Sequence, residues 1–194
     1  VAENYSGDWG GGFNLESDSV TKITNSTISG NVSGYLKAAN GGTVTFGVTT
    51  ANEGNVGGGG IMSNSATTEL YINHTTITDN AATRFEGGGL YNNSALNTIL
   101  VENSIIFGNL GNVDTGSTPD DTRGSAIDLV GANVIGVHNN SSLIGNTAGR
   151  ITTDPSLGAL ADNGGLTRTH LISDLSVAAD AAIGSTLGED QMGV

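Results

Sequence analysis

The sequence predicts an all-β solenoid, a helix built of parallel sheet with about four coils, and three observations predict it. A glycine-led apolar motif returns along the chain as GGGFN at 10–14, GGGIMSN at 58–64, GGGLYNN at 87–93 and, degraded, GSAIDL at 124–129. A closing motif returns in step: ITNSTISGN ends at Asn31, INHTTITDN at Asn80, VENSIIFGN at Asn109 and VHNNSSLIGN at Asn146. Composition agrees, because 31 Gly, only 2 Pro and 5% aromatic residues suit short strands and tight turns rather than helices. Units of this kind bury their apolar face only against their neighbours, so they stack into an array.

The 194 residues divide into one repeat array over 1–153 and a closing segment over 154–194. A hydrophobic content of 36% is low for a thick core but sufficient for the thin column inside a solenoid. The net charge of −13 comes from 19 acidic residues against six basic ones, Lys22, Lys37, Arg84, Arg123, Arg150 and Arg168. So acidic a surface repels phosphate backbones and anionic lipid, which excludes nucleic acid and the membrane surface as partners. With no cysteine, disulfides and thiol chemistry are absent. No apolar run reaches the ~18 residues of a membrane span. The opening VAENYSGDWGG lacks Met and a basic, apolar leader, and reads as a processed mature chain or an excised fragment.

Taken in order, residues 1–9 form a leading segment whose Trp9 is placed to cover the open end of the core. From the apolar anchor to the closing Asn the spacing is 18 residues for Phe13 to Asn31, and 19 each for Ile61 to Asn80, Leu90 to Asn109 and Ile127 to Asn146. From each closing Asn to the next anchor it is 30, 10 and 18 residues, so all the length variation falls in one connection. The constant part alternates apolar and polar residues between polar turns, which predicts three strands per coil. In the third unit they fall near Leu90–Asn92, Leu100–Glu102 and Ile105–Phe107. Stacked coils give three interior columns: Phe13, Ile61, Leu90 and Ile127; Ile23, Ile72 and Val101; Ile28, Ile77, Ile106 and Leu143. Asn25, His74, Asn103 and Asn140 make one corner, and Asn31, Asn80, Asn109 and Asn146 another, because Asn tolerates left-handed geometry and its amides can bond along the stack. The triple glycines precede no Lys-Ser/Thr and no helix, so they read as tight turns rather than a phosphate loop.

The inserts at 32–57 and 110–123 leave the rod at the same corner, where binding function is expected on a rigid scaffold. The first holds the alternation TVTFGVT and the aromatics Tyr35 and Phe46, the candidate binding residues. The second holds Asp114, Asp120 and Asp121, the local carboxylate cluster and the candidate ligands for a Ca²⁺ ion, with a solvated acidic loop as the competing reading. No paired carboxylates with a nearby base suggest catalysis, so no catalytic residue is named and the chain is read as non-enzymatic.

The alternation of GGGIMSN or GGGLYNN with TISGN or TITDN resembles the right-handed parallel β-helix, or pectin-lyase-like, repeats of bacterial surface proteins, in particular the polymorphic outer-membrane-protein type. The segment DPSLGALADNGGLTRTHLISDLSVAADAAIG at 154–184 resembles the closing segment of the choice-of-anchor group of secreted bacterial proteins. Asp154-Pro155, Ala161 to Gly165 and Thr169-His170 agree with the usual form, while Ala159 and Leu166 replace two expected prolines. The resemblance implies an exported, extracellular or cell-surface structural or adhesive module with no defined activity. Its expected partners are further copies of itself, joined end to end into filaments, or a cell-surface or polysaccharide ligand. A carbohydrate-binding or carbohydrate-active β-helix is the alternative. The tail is expected to cap the rod, since an uncovered last coil leaves strand edges unpaired.

Overall fold

The computed structural model describes every residue except 8, 17, 35, 39–43, 47–56, 65, 66, 85, 86, 114, 115, 183, 184, 186, 188–190 and 192–194, and the backbone alone at 36–38 and 44–46. Four walls run along the rod, each a sheet of five strands. Sheet I comprises Phe13–Leu15, Ile61–Ser63, Leu90–Asn92, Thr122–Gly124 and His138–Asn139. Sheet II comprises Val20–Thr24, Glu69–Asn73, Thr98–Glu102, Ile127–Val130 and Leu143–Gly145. Sheet III comprises Thr27–Ser29, Thr76–Thr78, Ile105–Ile106, Asn133–Ile135 and Arg150–Ile151. Sheet IV starts with Tyr5–Ser6 and continues through Val32–Ser33, Ala81–Ala82 and Leu110–Gly111. All these strands pair in parallel with the coil before and after, so the chain is an all-β parallel β-helix.

Sheet IV is the wall that the apolar pattern does not reveal. Its strands are two residues long and follow the closing Asn directly, too short to show a period. Ser33 and Ala82 are fully buried, and the glycine corner of sheet I approaches the backbone of this wall closely. A Cβ on Gly59 would stand 2.5 Å from the Ala81 carbonyl and from the Gly88 oxygen, and one on Gly60 would stand 2.6 Å from the Gly89 oxygen. The first glycine of each triplet, Gly10, Gly58 and Gly87, turns the chain with φ of 63°, 69° and 76°, values that L side chains rarely adopt.

The columns follow the predicted register through the third coil. Phe13, Ile61 and Leu90 stack in sheet I, Ile23, Ile72 and Val101 in sheet II, and Ile28, Ile77 and Ile106 in sheet III. All but Phe13 are buried, each contributing roughly 1.5–3 kcal/mol through its removal from water. After Asn109 the register departs from the expected one. Ile127 does not continue the column of Leu90. That place is taken by Thr122, fully buried with its hydroxyl against Ser141 Oγ at 3.1 Å, while Ile127 and Leu129 belong to sheet II. Leu143 likewise stacks on Ile127 in sheet II, and Ile135 takes its expected place above Ile106. The cause is a short corner. Only Ser125 and Ala126 separate the strands of sheets I and II in this coil, against 93–97 in the coil before. Shorter corners fit a further coil into the same length, which gives sheets I, II and III five parallel strands each, while sheet IV has four parallel strands and the antiparallel Thr118–Pro119.

The tail departs from the rod after Ile151 and doubles back along the outside of sheet III. His170 Nε2 bonds Ser29 Oγ at 2.8 Å in the first coil, and Arg168 pairs with Glu3 at 2.6 Å. It reaches back to the first coil, and at the last coil Leu143 is partly buried. Sheet III has the reason for this in its outward row Thr27, Thr76, Ile105, Val134 and Ile151, which turns apolar halfway along. Ile105 and Val134 face away from the core and are nevertheless buried. The tail residues Thr169 and His170 lie over this side of the rod and are buried as well.

Candidate functional site

The polar side chains that the sequence singles out as repeating are chiefly structural. Asn31, Asn80 and Asn109 form a buried ladder between sheets III and IV. Asn80 Oδ1 accepts from the backbone N–H of Asn31 at 3.0 Å and from its amide at 2.9 Å, and Asn109 Oδ1 accepts the same pair from Asn80 at 3.1 and 2.9 Å. Each amide also donates to wall carbonyls, as Asn80 Nδ2 does to Ile28 O and Thr78 O. Asn4 continues the ladder backwards, donating to Asn31 Oδ1.

The next rung is Asp121, not Asn146. Its Oδ1 accepts from Asn109 N at 2.8 Å and Asn109 Nδ2 at 2.9 Å, and its Oδ2 from Val137 N at 2.8 Å. The insert delivers it there. After Leu110–Gly111 the chain returns antiparallel through Thr118–Pro119, closing sheet IV, and Asp120 N then bonds Asn109 O at 2.9 Å. Asp120 Oδ2 accepts from Gly87 N at 2.7 Å. Burial pushes the Asp121 carboxyl above the usual carboxylate range, while its hydrogen bonds from Asn109 and Val137 pull the other way. Of the three candidate Ca²⁺ ligands, Asp120 and Asp121 are thus adjacent, buried and bonded to main-chain N–H groups; Asp114 lies outside the described residues. Among the described residues no three His, Asp or Glu side chains stand together as a metal site would require. Asn146 instead accepts from Gly149 N in a short 3₁₀ turn and donates to Gly131 O.

The corner between sheets II and III holds Asn25, His74 and Asn103 with φ of 48°, 46° and 46°, as the left-handed reading requires. Gly131 replaces Asn140 as its fourth member, since a Cβ there would meet Asn103 Oδ1 at 2.1 Å. Asn140 sits instead at a corner between sheets I and II. Tyr35 lies outside the described residues. Phe46 pairs with Leu36 in the antiparallel hairpin Leu36–Ala38 and Val44–Phe46, and its side chain lies outside the described set.

Among the described residues two concave surfaces stand out. One is a cleft of about 550 Å³ between the tail and the corner of sheet III, lined by His74, Asn103, Thr76, His170, Asp180 and Ser185 among others. Both histidines are held in place: His74 Nε2 meets Ser185 Oγ at 2.6 Å, and His170 Nδ1 meets Gly158 O at 2.7 Å. Among the described lining residues Asp180 is the one carboxylate, so the cleft offers hydroxyls, amides and imidazoles but no acid–base pair of carboxylates. The other is a shallow groove on the outer face of sheet II, where Lys22 lies 5.9 Å from the Tyr71 ring centre beside Glu69 and Glu102. Neither surface is visible in the motifs. The signal that could have located the first is the doubled apolar pair, Ile105-Ile106 and Val134-Ile135, where the first two coils have Thr27-Ile28 and Thr76-Ile77. A strand apolar on both faces is covered on both faces.

No protein-family model, curated protein or solved structure matches the chain. No helix among the described residues is long and apolar enough to cross a membrane.

Proposed function

We propose that this chain is a non-enzymatic structural or adhesive β-helix module of a bacterial surface or matrix protein, whose rods join end to end. The observation that carries the reading is the last coil. Among the described residues no strand pairs with the outer edge of His138–Asn139, Leu143–Gly145 or Arg150–Ile151, and the tail reaches back to Ser29 in the first coil. Unpaired strand edges are templates for another chain. The polar side chains support the same reading, because the Asn31, Asn80, Asn109 and Asp121 ladder stiffens the walls. Similarity of the repeats and tail to exported bacterial proteins supports an extracellular setting. Sedimentation velocity and electron microscopy over rising concentration test this reading. Lengthening filaments with the coil spacing as their repeat support it, and discrete rods of roughly 24 Å at every concentration contradict it.

The cleft beside the tail favours a second reading, a polysaccharide-binding module, because its hydroxyls, amides and imidazoles beside apolar side chains suit a polyhydroxylated ligand. Calorimetric titration with neutral oligosaccharides tests it, and no heat at millimolar ligand rules it out.

A further inference from the structure

We propose that Ser185 on the tail is a nucleophile, activated by His74 and Asn73 of the rod, that takes an acyl group from a small ester seated in the cleft between tail and rod. The hydrogen bonds fix where the protons are. Asn73 Nδ2 donates to the Glu102 carboxylate at 3.1 Å, and a carboxylate only accepts, so the amide oxygen is the side turned to His74 Nδ1. That oxygen also only accepts, hence Nδ1 carries the proton. His74 Nε2 is left with its lone pair, and it stands 2.6 Å from Ser185 Oγ, whose hydrogen points at it. A hydroxyl, a base within reach of it and a third group that orients the base are the parts of an activated nucleophile.

The fold supplies each part. His74 sits at the left-handed corner between sheets II and III, φ 46°, in a column it shares with Asn25 and Asn103. Leu187 N donates to Ser185 Oγ at 3.2 Å and holds the hydroxyl in place. Asn103 lines the same cleft, and its Oδ1 accepts from Ala132 N at 3.0 Å, so its N–H₂ group remains to meet the oxygen of a bound carbonyl as charge develops there. Access separates this pair from a second one. His170 Nε2 also meets a serine hydroxyl, Ser29 Oγ at 2.8 Å, but Ser29 is buried, whereas Ser185 is exposed and lines the cleft of about 550 Å³.

In the step, Ser185 Oγ bonds the carbonyl carbon of the ester while its proton passes to His74 Nε2. The bond from that carbon to the ester's alkoxy oxygen then breaks, and the alcohol leaves with the proton. One transfer per chain leaves an acyl group on the tail, and atoms and electrons balance without another reactant. The site goes beyond both the structural reading of the rod and saccharide binding in the cleft, and neither depends on it.

Intact-mass measurement of the whole chain after treatment with an alkyl phosphonofluoridate, which exchanges its fluoride for the oxygen of an activated serine, tests the proposal. The expected result is one phosphonyl group per chain, mapped to Ser185 and absent from Ser185→Ala. His74→Asn puts at the corner the residue its neighbours in the column already have, so it should keep the parent's thermal melt while labelling slows at least about 100-fold. Asn73→Ala should slow labelling as well, and Asn73→Asp should restore it, because a carboxylate also accepts from Nδ1. No label at Ser185, or equal rates in the parent and His74→Asn, overturns the proposal, whatever sedimentation or oligosaccharide titration shows.

Discussion

Asp121 receives both the backbone N–H and the side-chain amide of Asn109 on one oxygen, at 2.8 and 2.9 Å, as each asparagine of the ladder does for the rung before it. Its second oxygen accepts from Val137 N where the inner asparagines donate to carbonyls. The last rung therefore needs an acceptor on both arms, which a carboxylate supplies and an amide does not.

Asp121→Asn turns an N–H₂ group towards the Val137 N–H and should lower stability by about 1–2 kcal/mol near neutral pH. The pH dependence has a definite sign. Burial raises the carboxyl pKa in the folded chain, so the stability linked to this group is full below the unfolded value and is lost as pH rises through the folded one. The wild-type advantage over Asp121→Asn is expected to be larger at about pH 4 than at about pH 7 in urea titrations. An advantage that shrinks on acidification would show that the N–H donors of Asn109 and Val137 outweigh burial at this carboxyl.

The inner rungs should respond oppositely. Asn80→Ala leaves the Asn31 backbone N–H and amide without their acceptor, at a cost of about 3 kcal/mol. Asn80→Asp should be worse, because a carboxylate there faces Ile28 O, Thr78 O and Asn109 Oδ1 with nothing to donate. Equal denaturation midpoints for the two variants would show that the amide's donor arm contributes nothing.

The glycine corner should be intolerant of a single methyl. Gly59→Ala meets the Ala81 and Gly88 carbonyls and is expected to destabilise by about 3 kcal/mol or prevent folding. Gly7→Ala meets nothing within 4 Å and should change stability by less than about 0.5 kcal/mol. Thermal melts of the pair check this directly.

Tail docking should depend on Glu3. Arg168 beside it holds the Glu3 carboxyl below the usual range, so the contact is present above the unfolded pKa and is lost as pH falls through the folded one. Arg168→Ala is expected to speed proteolytic cleavage within the tail at neutral pH while leaving the main thermal transition in place. Both residues are exposed, so added salt should reproduce part of the effect. Cleavage kinetics unchanged by the substitution would place the anchor elsewhere.

The first three coils were legible because their inward anchors are apolar and the corners between sheets I and II are four or five residues long. Ile61 to Leu90 and Ile77 to Ile106 repeat at a common spacing that a period search detects. Legibility ended at Asn109 for two physical reasons. The following anchor in sheet I is Thr122, a polar residue that the hydrophobic pattern passes over in favour of Ile127. The following ladder rung lies only 12 residues on, because the insert folds back to place Asp121 there, whereas Asn80 and Asn109 are 29 apart. The carboxylates at 120 and 121 stood out as a cluster, but nothing local distinguishes an acidic loop from a buried pair that accepts main-chain N–H groups. The path of the tail depends on contacts such as His170 with Ser29, 141 residues apart, which no local pattern encodes.

The ladder through Asn31, Asn80, Asn109 and Asp121 holds the walls together, and native-state hydrogen exchange resolved by residue tests this most directly. The backbone N–H groups of Asn31, Asn80, Asn109 and Val137, all bonded to side-chain oxygens of the ladder, should exchange only through global unfolding, with the tail amides of Ser176 and Ala179 opening earlier. Ladder amides that exchange at the rate of the tail would contradict the account.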